Sequence, residues 1–302
     1  MNPRRAAILA WAGLVAACGA RTGLYEPVDA ATTDAHDAAH DVAEEDVSDA
    51  DVEDVEFPDV PIVSDCPDAG ATLVYVLGSE NELYSFYPPT FSFTSIGTIA
   101  CPSTSTPNSM AVTRSGIAFA NFQSGELFEV STANAACKAT TYVPNQLGWD
   151  TYGMGYAGIA DGGESLYVVG FGSPFSKGLG TIDTSTFTLS DIGQFQPQQF
   201  DCELTGTSDG RLFGYCPLSS GNGSWFIEID PSNAGILSQH QLSAGSNEAW
   251  AFAFWGGEFW IFDGKGGTSV VTEYDPVAQT ETVVGNAPID VVGAGVSTCA
   301  PL

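Results

Sequence analysis

The sequence predicts an all-β fold, a β-propeller with five four-stranded blades, and three observations lead to this prediction. From Leu73 onward, short strands of alternating polarity are separated by Gly-rich turns. A hairpin-like segment recurs five times in this region, at intervals of about 45 residues. The domain at 66–302 also holds six cysteines at positions that suit a closed ring. A period of about 45 residues accommodates two hairpins, which is the size of one propeller blade.

The recurring segment is a strand, a turn and a second strand. Its copies read "ELYSFYPPTFSF", "ELFEVSTANAAC", "LGTIDTSTFTLS", "FIEIDPSNAGIL" and "VTEYDPVAQTET". Spacings of 44, 52, 47 and 45 residues separate the equivalent turn positions, which are Tyr87, Ser131, Asp183, Asp230 and Asp275. Asp or Ser followed by Pro suits the first two positions of a type I turn, so each copy is predicted to be a hairpin.

A second hairpin precedes each of the last four copies. Three of these hairpins turn at Asp-Gly or Gly-Gly, which are strong hairpin signals between alternating strands. The four turns are Ser115-Gly116, Asp161-Gly162-Gly163, Asp209-Gly210 and Gly256-Gly257. The last hairpin is almost wholly apolar, but its central glycines and its alternation of Ala with aromatic residues favour two buried strands over a membrane helix.

The first blade lacks its first strand, because the chain enters the repeat region at "TLVYVLGSENELYSF". The segment "IDVVGAGVSTC" at 289–299 resembles the inner strand of the other blades. The C-terminal strand is therefore predicted to complete blade one and close the ring. A β-sandwich and a ring of six irregular blades are the alternative architectures.

The domain has six cysteines after Cys18, an even number that indicates disulfides in an exported protein, with free thiols as the alternative. The propeller favours a pair across one hairpin, a pair that joins the two ends of the domain, and a remaining pair beside blade two. These pairs are Cys202–Cys216, Cys66–Cys299 and Cys101–Cys137. A zinc site is not expected, because the sequence has no CxxC motif.

Residues 1–17 read as an export signal. Arg4 and Arg5 form a positive segment, and the apolar run Ala6–Val15 follows it. An ordinary secretory signal cleaved near Ala17 is one interpretation of this pattern.

A lipoprotein signal is the sharper interpretation. "LVAAC" at 14–18 resembles the lipobox of bacterial lipoproteins. The resemblance implies that Cys18 becomes the N-terminus and carries acyl chains such as palmitate, and two or more chains anchor a protein stably. Gly19 follows the cysteine rather than an Asp, so the chain is expected on the bacterial outer membrane or the cell surface.

Residues 18–65 form a predicted tether between the lipidated cysteine and the propeller domain at 66–302. Residues 25–65 hold 15 Asp or Glu and no Lys or Arg. Low hydrophobicity and charge of one sign keep such a segment unfolded. His36 and His40 would share one face of a helix as a metal pair, but nothing would hold that helix, so a solvated tether is the default.

The charge limits the partners that the chain can take. The net charge is −29, with only eight Lys and Arg, so nucleic acid is not an expected partner. No cofactor or metal is expected. The predicted protein is a monomer that meets the membrane through its lipid anchor and binds a protein or a glycan.

Catalytic signatures are missing from the sequence. It has no Walker loop, no GxSxG and no HExxH. A Ser-His-Asp or Cys-His system in the domain would need His240, which lies on a predicted outer strand far from the axis. The chain is therefore predicted not to be an enzyme.

Polar residues at the starts of the predicted inner strands are the candidate ligand-binding residues. Propellers bind ligands near the central opening, where these strands begin. The candidates are Asn108, Asp150, Asp201, Glu203, Glu248 and Asp290. This set would suit the binding of a cation or a glycan. Paired carboxylates would also suit a glycoside hydrolase or lyase. The plainest interpretation is that these acidic residues only keep this surface soluble.

Aromatic residues give a second set of candidates. They would stack on sugars, but their alternation with Gly or Ala favours packing between blades. The residues are Trp149, Tyr152, Tyr156, Trp250, Trp255 and Trp260.

The order of parts resembles predicted surface lipoproteins of myxobacteria, which join a lipobox, an Asp-rich tether and a Cys-stapled propeller. "CGARTGL", "ELTGTSDGRLFG", "EAWAFAFWGGEFW" and "VGAGVSTCAP" look like the recurring phrases of that family. The resemblance implies a fold and a cellular location rather than an activity. The expected protein is a membrane-anchored, extracytoplasmic propeller that acts as a non-catalytic binding or scaffold module.

Overall fold

A computed structural model describes Cys66 and residues 72–172, 176–218, 223–245 and 248–302. In these residues the chain forms five four-stranded sheets, and the strands of each sheet pair antiparallel. The innermost strands of the sheets contact one another in a closed ring. The predicted five-bladed propeller is therefore confirmed, and the sandwich and the six-bladed ring are excluded.

The strands are numbered along the chain, and each blade is described from the axis outward. Blade one contains β20 (Val291–Val296), β1 (Val74–Gly78), β2 (Glu82–Tyr87) and β3 (Ser92–Thr98). Blade two contains β4 (Pro107–Val112), β5 (Ile117–Phe122), β6 (Leu127–Ser131) and β7 (Cys137–Ala139). Blade three contains β8 (Tyr152–Gly158), β9 (Glu164–Gly170), β10 (Gly178–Asp183) and β11 (Thr188–Gly193). Blade four contains β12 (Glu203–Gly206), β13 (Leu212–Pro217), β14 (Ser224–Ile229) and β15 (Ile236–Leu242). Blade five contains β16 (Trp250–Trp255), β17 (Glu258–Lys265), β18 (Thr268–Asp275) and β19 (Thr280–Asn286).

Among the residues that the structure describes, two short 3₁₀ segments lie outside the sheets, at Pro88–Thr90 and Gln146–Gly148. The first follows β2 and begins with two prolines, which lack the backbone N–H that a helix start leaves unpaired. The second precedes β8 and leads the chain into blade three.

The C-terminal strand closes the ring as predicted. β20 pairs with β1, and Val74 lies opposite Val296 in this pairing. Blade one thus combines the first and last strands of the domain. Closure of this kind pairs the N-terminal strand β1 on both of its edges.

The predicted hairpin turns are also confirmed. At the turn between β12 and β13, the Thr207 N–H donates to the Arg211 carbonyl oxygen at 3.0 Å. This register places Glu203 opposite Tyr215. Gly210 has a φ of 88°, the left-handed conformation that glycine adopts without steric cost.

The outer turns contain a feature that the sequence pattern did not predict. Four residues after each repeated turn position, a residue other than glycine adopts the left-handed backbone conformation. The φ values are 46° at Phe91, 60° at Ala135, 55° at Phe187, 61° at Ala234 and 55° at Gln279. A type I turn followed by a left-handed residue is a common hairpin connection, so the blades share one turn geometry despite different residues.

Three disulfides join the cysteines in the predicted pairs. They are Cys66–Cys299, Cys101–Cys137 and Cys202–Cys216. The first links residues 233 positions apart and holds the ends of the ring together.

Side-chain size changes from the axis outward. A Cβ on Gly153 would lie 2.0 Å from the Cys202 carbonyl oxygen, so β8 approaches β12 only because this residue has no side chain. Farther out, aromatic rings fill the space between blades. Between blades four and five, the Phe226 and Phe259 ring centroids are 4.7 Å apart.

The predictions of a signal peptide, of lipidated Cys18 and of a tether at 18–65 concern residues outside the described ranges. Among the described residues, no helix is long and apolar enough to cross a bilayer.

Candidate functional site

The inner strands begin at one end of the central opening, which we call the mouth. A cavity of about 200 Å³, the mouth cavity, lies there. Residues at or beside the starts of all five inner strands contribute to its wall. The lining residues are Asn108, Gln123, Thr151, Phe171, Glu203, Glu248, Ala249, Trp250 and Val292. The ring geometry thus brings together side chains that are far apart in the sequence.

Three of the six predicted ligand-binding residues line this cavity, and three do not. Asn108, Glu203 and Glu248 are in the wall. Asp150 is exposed just before β8, and its neighbour Thr151 lines the cavity instead. The other two predicted residues, Asp201 and Asp290, also precede inner strands without lining the cavity.

Glu203 is the most deeply buried carboxyl of the mouth, with 1% of its surface exposed. The Ser109 hydroxyl donates to Glu203 Oε2 at 2.6 Å, and the Met154 N–H donates to Ser109 Oγ at 3.1 Å. Burial raises the pKa of the Glu203 carboxyl well above its usual range, while hydrogen bonds from Ser109 and Met154 oppose the rise. Blades two, three and four therefore share one buried polar link.

Amide groups form a second link between blades at the mouth. Asn108 Nδ2 donates to Asn121 Oδ1 at 3.2 Å and to the Tyr152 carbonyl oxygen at 3.1 Å. Gln123 Nε2 donates to Asn108 Oδ1 at 3.0 Å. These bonds fix the Asn108 side chain. Its partners were not predictable from the repeat pattern, because they lie in β5, just after β5 and in β8.

The other acidic side chains of this end have separate environments. Glu248 Oε2 accepts a hydrogen bond from the Gly266 N–H at 3.1 Å. Burial, followed by the Glu248 charge, raises the pKa of Asp290. Asp201 Oδ1 accepts from the Gly172 N–H at 3.3 Å, and burial raises the pKa of its carboxyl. Among the described residues, no three His, Cys, Asp or Glu side chains form a group that could hold a metal ion.

One aromatic pair lies at the mouth. The ring centroids of Phe171 and Trp250 are 6.2 Å apart, with the planes tilted by 45°. Trp250 Nε1 is buried and has no hydrogen-bond partner among the described residues. Trp255, by contrast, donates from Nε1 to the Thr72 carbonyl oxygen at 2.7 Å.

The remaining predicted aromatic candidates pack inside the domain. Each has less than a tenth of its surface exposed, as the preference for blade packing predicted. They are Trp149, Tyr152, Tyr156 and Trp260. His240 lies on β15, the predicted outer strand, and its ring stacks on Tyr274 at 5.9 Å.

Similar solved structures include the hydrazine synthase of Kuenenia stuttgartiensis, at 12% identity and a TM-score of 0.42 over 73% of this chain and 67% of that chain. A protein of unknown function from Bacteroides caccae matches 74% of this chain and 98% of its own, at 11% identity and a TM-score of 0.38. A structural genomics protein of unknown function from Bacteroides thetaiotaomicron matches 74% of this chain and 60% of its own, at 15% identity and a TM-score of 0.45. No protein-family model and no curated protein matches the chain.

Proposed function

We propose that this chain is a lipid-anchored, extracytoplasmic binding module that holds the end of a glycan in the mouth cavity without catalysing a reaction. The main support for this proposal is the set of residues that line the cavity. Amide and carboxyl groups of Asn108, Gln123 and Glu203 line the same space as the rings of Phe171 and Trp250. Sugars present hydroxyl groups and apolar C–H faces, so polar groups beside aromatic rings suit them.

The buried indole N–H of Trp250 adds a specific requirement. A buried donor normally has a hydrogen-bond partner, and Trp250 Nε1 has none among the described residues. An acceptor oxygen on a ligand would supply it once the Trp250 ring shifts, because Nε1 itself has almost no accessible surface. A sugar hydroxyl or ring oxygen meets this requirement while its C–H face packs on the aromatic pair.

The size of the cavity favours a terminal group over a whole ligand. Its volume of about 200 Å³ lies below the range of about 300–1,000 Å³ that is typical of small-molecule pockets. A single terminal sugar of a longer chain would fit such a space, with the rest of the glycan outside.

The proposed location depends on two other observations. The "LVAAC" segment predicts acylation of Cys18. The three disulfides of the domain are typical of proteins that fold outside the reducing cytosol. A tethered module of this kind would display its mouth to ligands outside the cytoplasm.

A carbohydrate-active enzyme is the second candidate, and a specific observation favours it. Glu203 and Glu248 line the same cavity, and burial favours the protonated form of Glu203. Glycosidases use such a pair, in which one carboxyl holds a proton and the other is ionised. The Ser109 hydrogen bond and the deep burial of Glu203 favour a positioning role, so we rank binding first.

Binding to a glycan array by the full-length chain in lipid nanodiscs tests the first proposal. We expect saturable binding to one glycan class, weakened about ten-fold by Trp250→Phe, which removes the unpaired N–H and keeps the ring. Trp255→Phe is the matched control, because Trp255 donates to a backbone oxygen away from the mouth cavity. Binding that both substitutions weaken equally, or no glycan binding at all, would reject the mouth as a sugar site.

Incubation of the bound glycan with the chain separates the two candidate functions. A binding module releases the glycan intact, whereas an enzyme releases shortened products. If products form and Glu203→Gln abolishes them, the enzyme is the correct assignment. If Glu203→Gln changes affinity alone, the binding module stands.

A further inference from the structure

A second cavity lies between blades four and five, at the end of the ring opposite the mouth, and we call it the interblade cavity. Its volume is about 370 Å³, within the range of small-molecule pockets. Aromatic rings from both blades form its inner wall. They belong to Phe213, Phe226, Phe254, Phe259 and Tyr274. None of the mouth residues takes part in this wall.

The rings are fixed by contacts with one another. The Phe226 and Phe259 rings meet edge to face, and the Phe213 ring stacks on Phe226 at 5.6 Å. The His240 ring lies parallel to Tyr274, with 16° between the planes, and also lines the cavity. The rings thus form an apolar wall that suits contact with a ring entering the cavity.

The rim of the cavity is polar and carries more negative than positive formal charge. The Arg211 guanidinium donates to Glu228 Oε1 at 2.8 Å, so these two charges offset each other. Asp209, whose carboxylate accepts a hydrogen bond from the Thr207 hydroxyl, adds a further negative charge. Val277 lies beside them with 92% of its surface exposed and adds apolar area to the entrance.

We propose that the interblade cavity is a second binding site, specific for a small aromatic molecule that carries an amine. The aromatic wall supplies the contact for the ring. Asp209 supplies the negative charge that the Arg211–Glu228 pair does not offset, and this charge attracts the ammonium group at the rim. An ammonium near ring faces gains further cation–π attraction. Residues 66–302 hold 22 Asp or Glu and 5 Lys or Arg, and this excess of negative charge disfavours the corresponding aromatic anions.

Calorimetric titration of the full-length chain in nanodiscs tests this site, with tryptamine and indole-3-acetate as probes. The two probes share the indole ring and differ in the sign of their charge. We expect tryptamine to bind at least about five-fold more tightly than indole-3-acetate. Equal binding of both probes, or no binding of tryptamine beyond that of empty nanodiscs, would overturn the proposal.

A matched pair of substitutions locates the binding. Ser238 is exposed on β15 and lines the cavity, so Ser238→Trp fills it and should weaken tryptamine binding at least ten-fold. Ser190 is exposed on β11, the outer strand of blade three, and does not line the cavity, so Ser190→Trp should change nothing. Tryptamine binding that survives Ser238→Trp would place the site elsewhere.

A charge substitution tests the site even if Ser238→Trp does not fold. Glu228→Gln keeps the size of the side chain and removes one rim carboxylate. It should reduce the preference for tryptamine over indole-3-acetate by about five-fold. An unchanged preference would overturn the role of the rim. Trp250→Phe should leave tryptamine binding unaltered, which keeps this test separate from that of the mouth.

Discussion

The mouth cavity and the interblade cavity lie at opposite ends of the ring, and their walls differ in chemistry. The mouth cavity, about 200 Å³, is built at the starts of the inner strands and contains amides and carboxyls from several blades. The interblade cavity, about 370 Å³, is built farther from the axis and is walled by aromatic rings. Distance from the axis therefore sets the chemistry that each cavity can offer.

The reason is the wedge shape of the space between blades. Near the axis the strands touch, so glycine and backbone groups occupy the contact. Farther out the blades diverge, and only large side chains fill the gap. Where rings from two blades leave part of the gap open, an apolar cavity results.

The largest loss of stability is expected from a substitution where the strands make their tightest contact near the axis. Gly153→Ala places a Cβ 2.0 Å from the Cys202 carbonyl oxygen, and backbone atoms cannot move aside without shifting a blade. Overpacking of this kind should lower the free energy of unfolding by about 3 kcal/mol or more. Denaturant titration of the full-length chain measures the loss.

Gly163→Ala is the control for that substitution. Gly163 lies in the same hairpin, and its nearest neighbours would be exposed side-chain atoms of Asp161 and Ile159. Its cost should stay below about 1 kcal/mol. Equal costs at the two glycines would contradict the contrast between the axis and the periphery.

The sequence predicted the ring because the relevant signals are local. Turn glycines such as Gly116 and Gly210, and the period of the hairpins, are readable without any tertiary contact. The Cys202–Cys216 pair followed from one turn, since the register of a hairpin is fixed by its loop. Closure followed from the likeness of the last strand to the other inner strands.

The sites were predicted less well, because they depend on where each strand begins and on contacts between blades. β8 begins at Tyr152, so Thr151 rather than Asp150 reaches the mouth cavity. His240 was placed correctly on an outer strand, but its contact with Tyr274 depends on how blade four meets blade five. No repeat or turn signal encodes such a contact.

The interface between blades four and five carries a polar pair at its mouth end, in contrast to the cavity at its other end. Tyr215 Oη donates to Asp263 Oδ1 at 2.7 Å, and Asp263 is 8% exposed. Burial raises the pKa of the Asp263 carboxyl from 3.8 to about 6, against the Tyr215 hydrogen bond, which lowers it. The folded state therefore binds this proton more tightly than the unfolded state.

This pair predicts a pH dependence of stability of intermediate size. Protonation of Asp263 contributes about 2–3 kcal/mol to the free energy of unfolding. This contribution is complete below about pH 4 and is lost as the pH rises through about 6. Asp263→Asn should remove that part of the decline in the free energy of unfolding between pH 4 and pH 7. Tyr215→Phe should make the decline steeper, because it removes a hydrogen bond to the carboxylate. The same slope in all three proteins would contradict a titrating Asp263.

The smallest change in stability is expected from a substitution at the outer edge of a blade, where the structure tolerates a strained backbone. Gln279 has a φ of 55°, a conformation that costs a residue with a side chain about 1 kcal/mol and costs glycine almost nothing. Gln279→Gly should therefore raise the free energy of unfolding by a few tenths of a kcal/mol, after the added entropy of the unfolded chain is subtracted. Gln241→Gly, on exposed strand β15, should instead lower it by about 0.5–1 kcal/mol. Denaturant titration measures the change in the free energy of unfolding for both variants. Changes of opposite sign would show that the shared turn geometry, and not exposure, decides which residue each outer position accepts. Equal losses of stability at both positions would refute this conclusion.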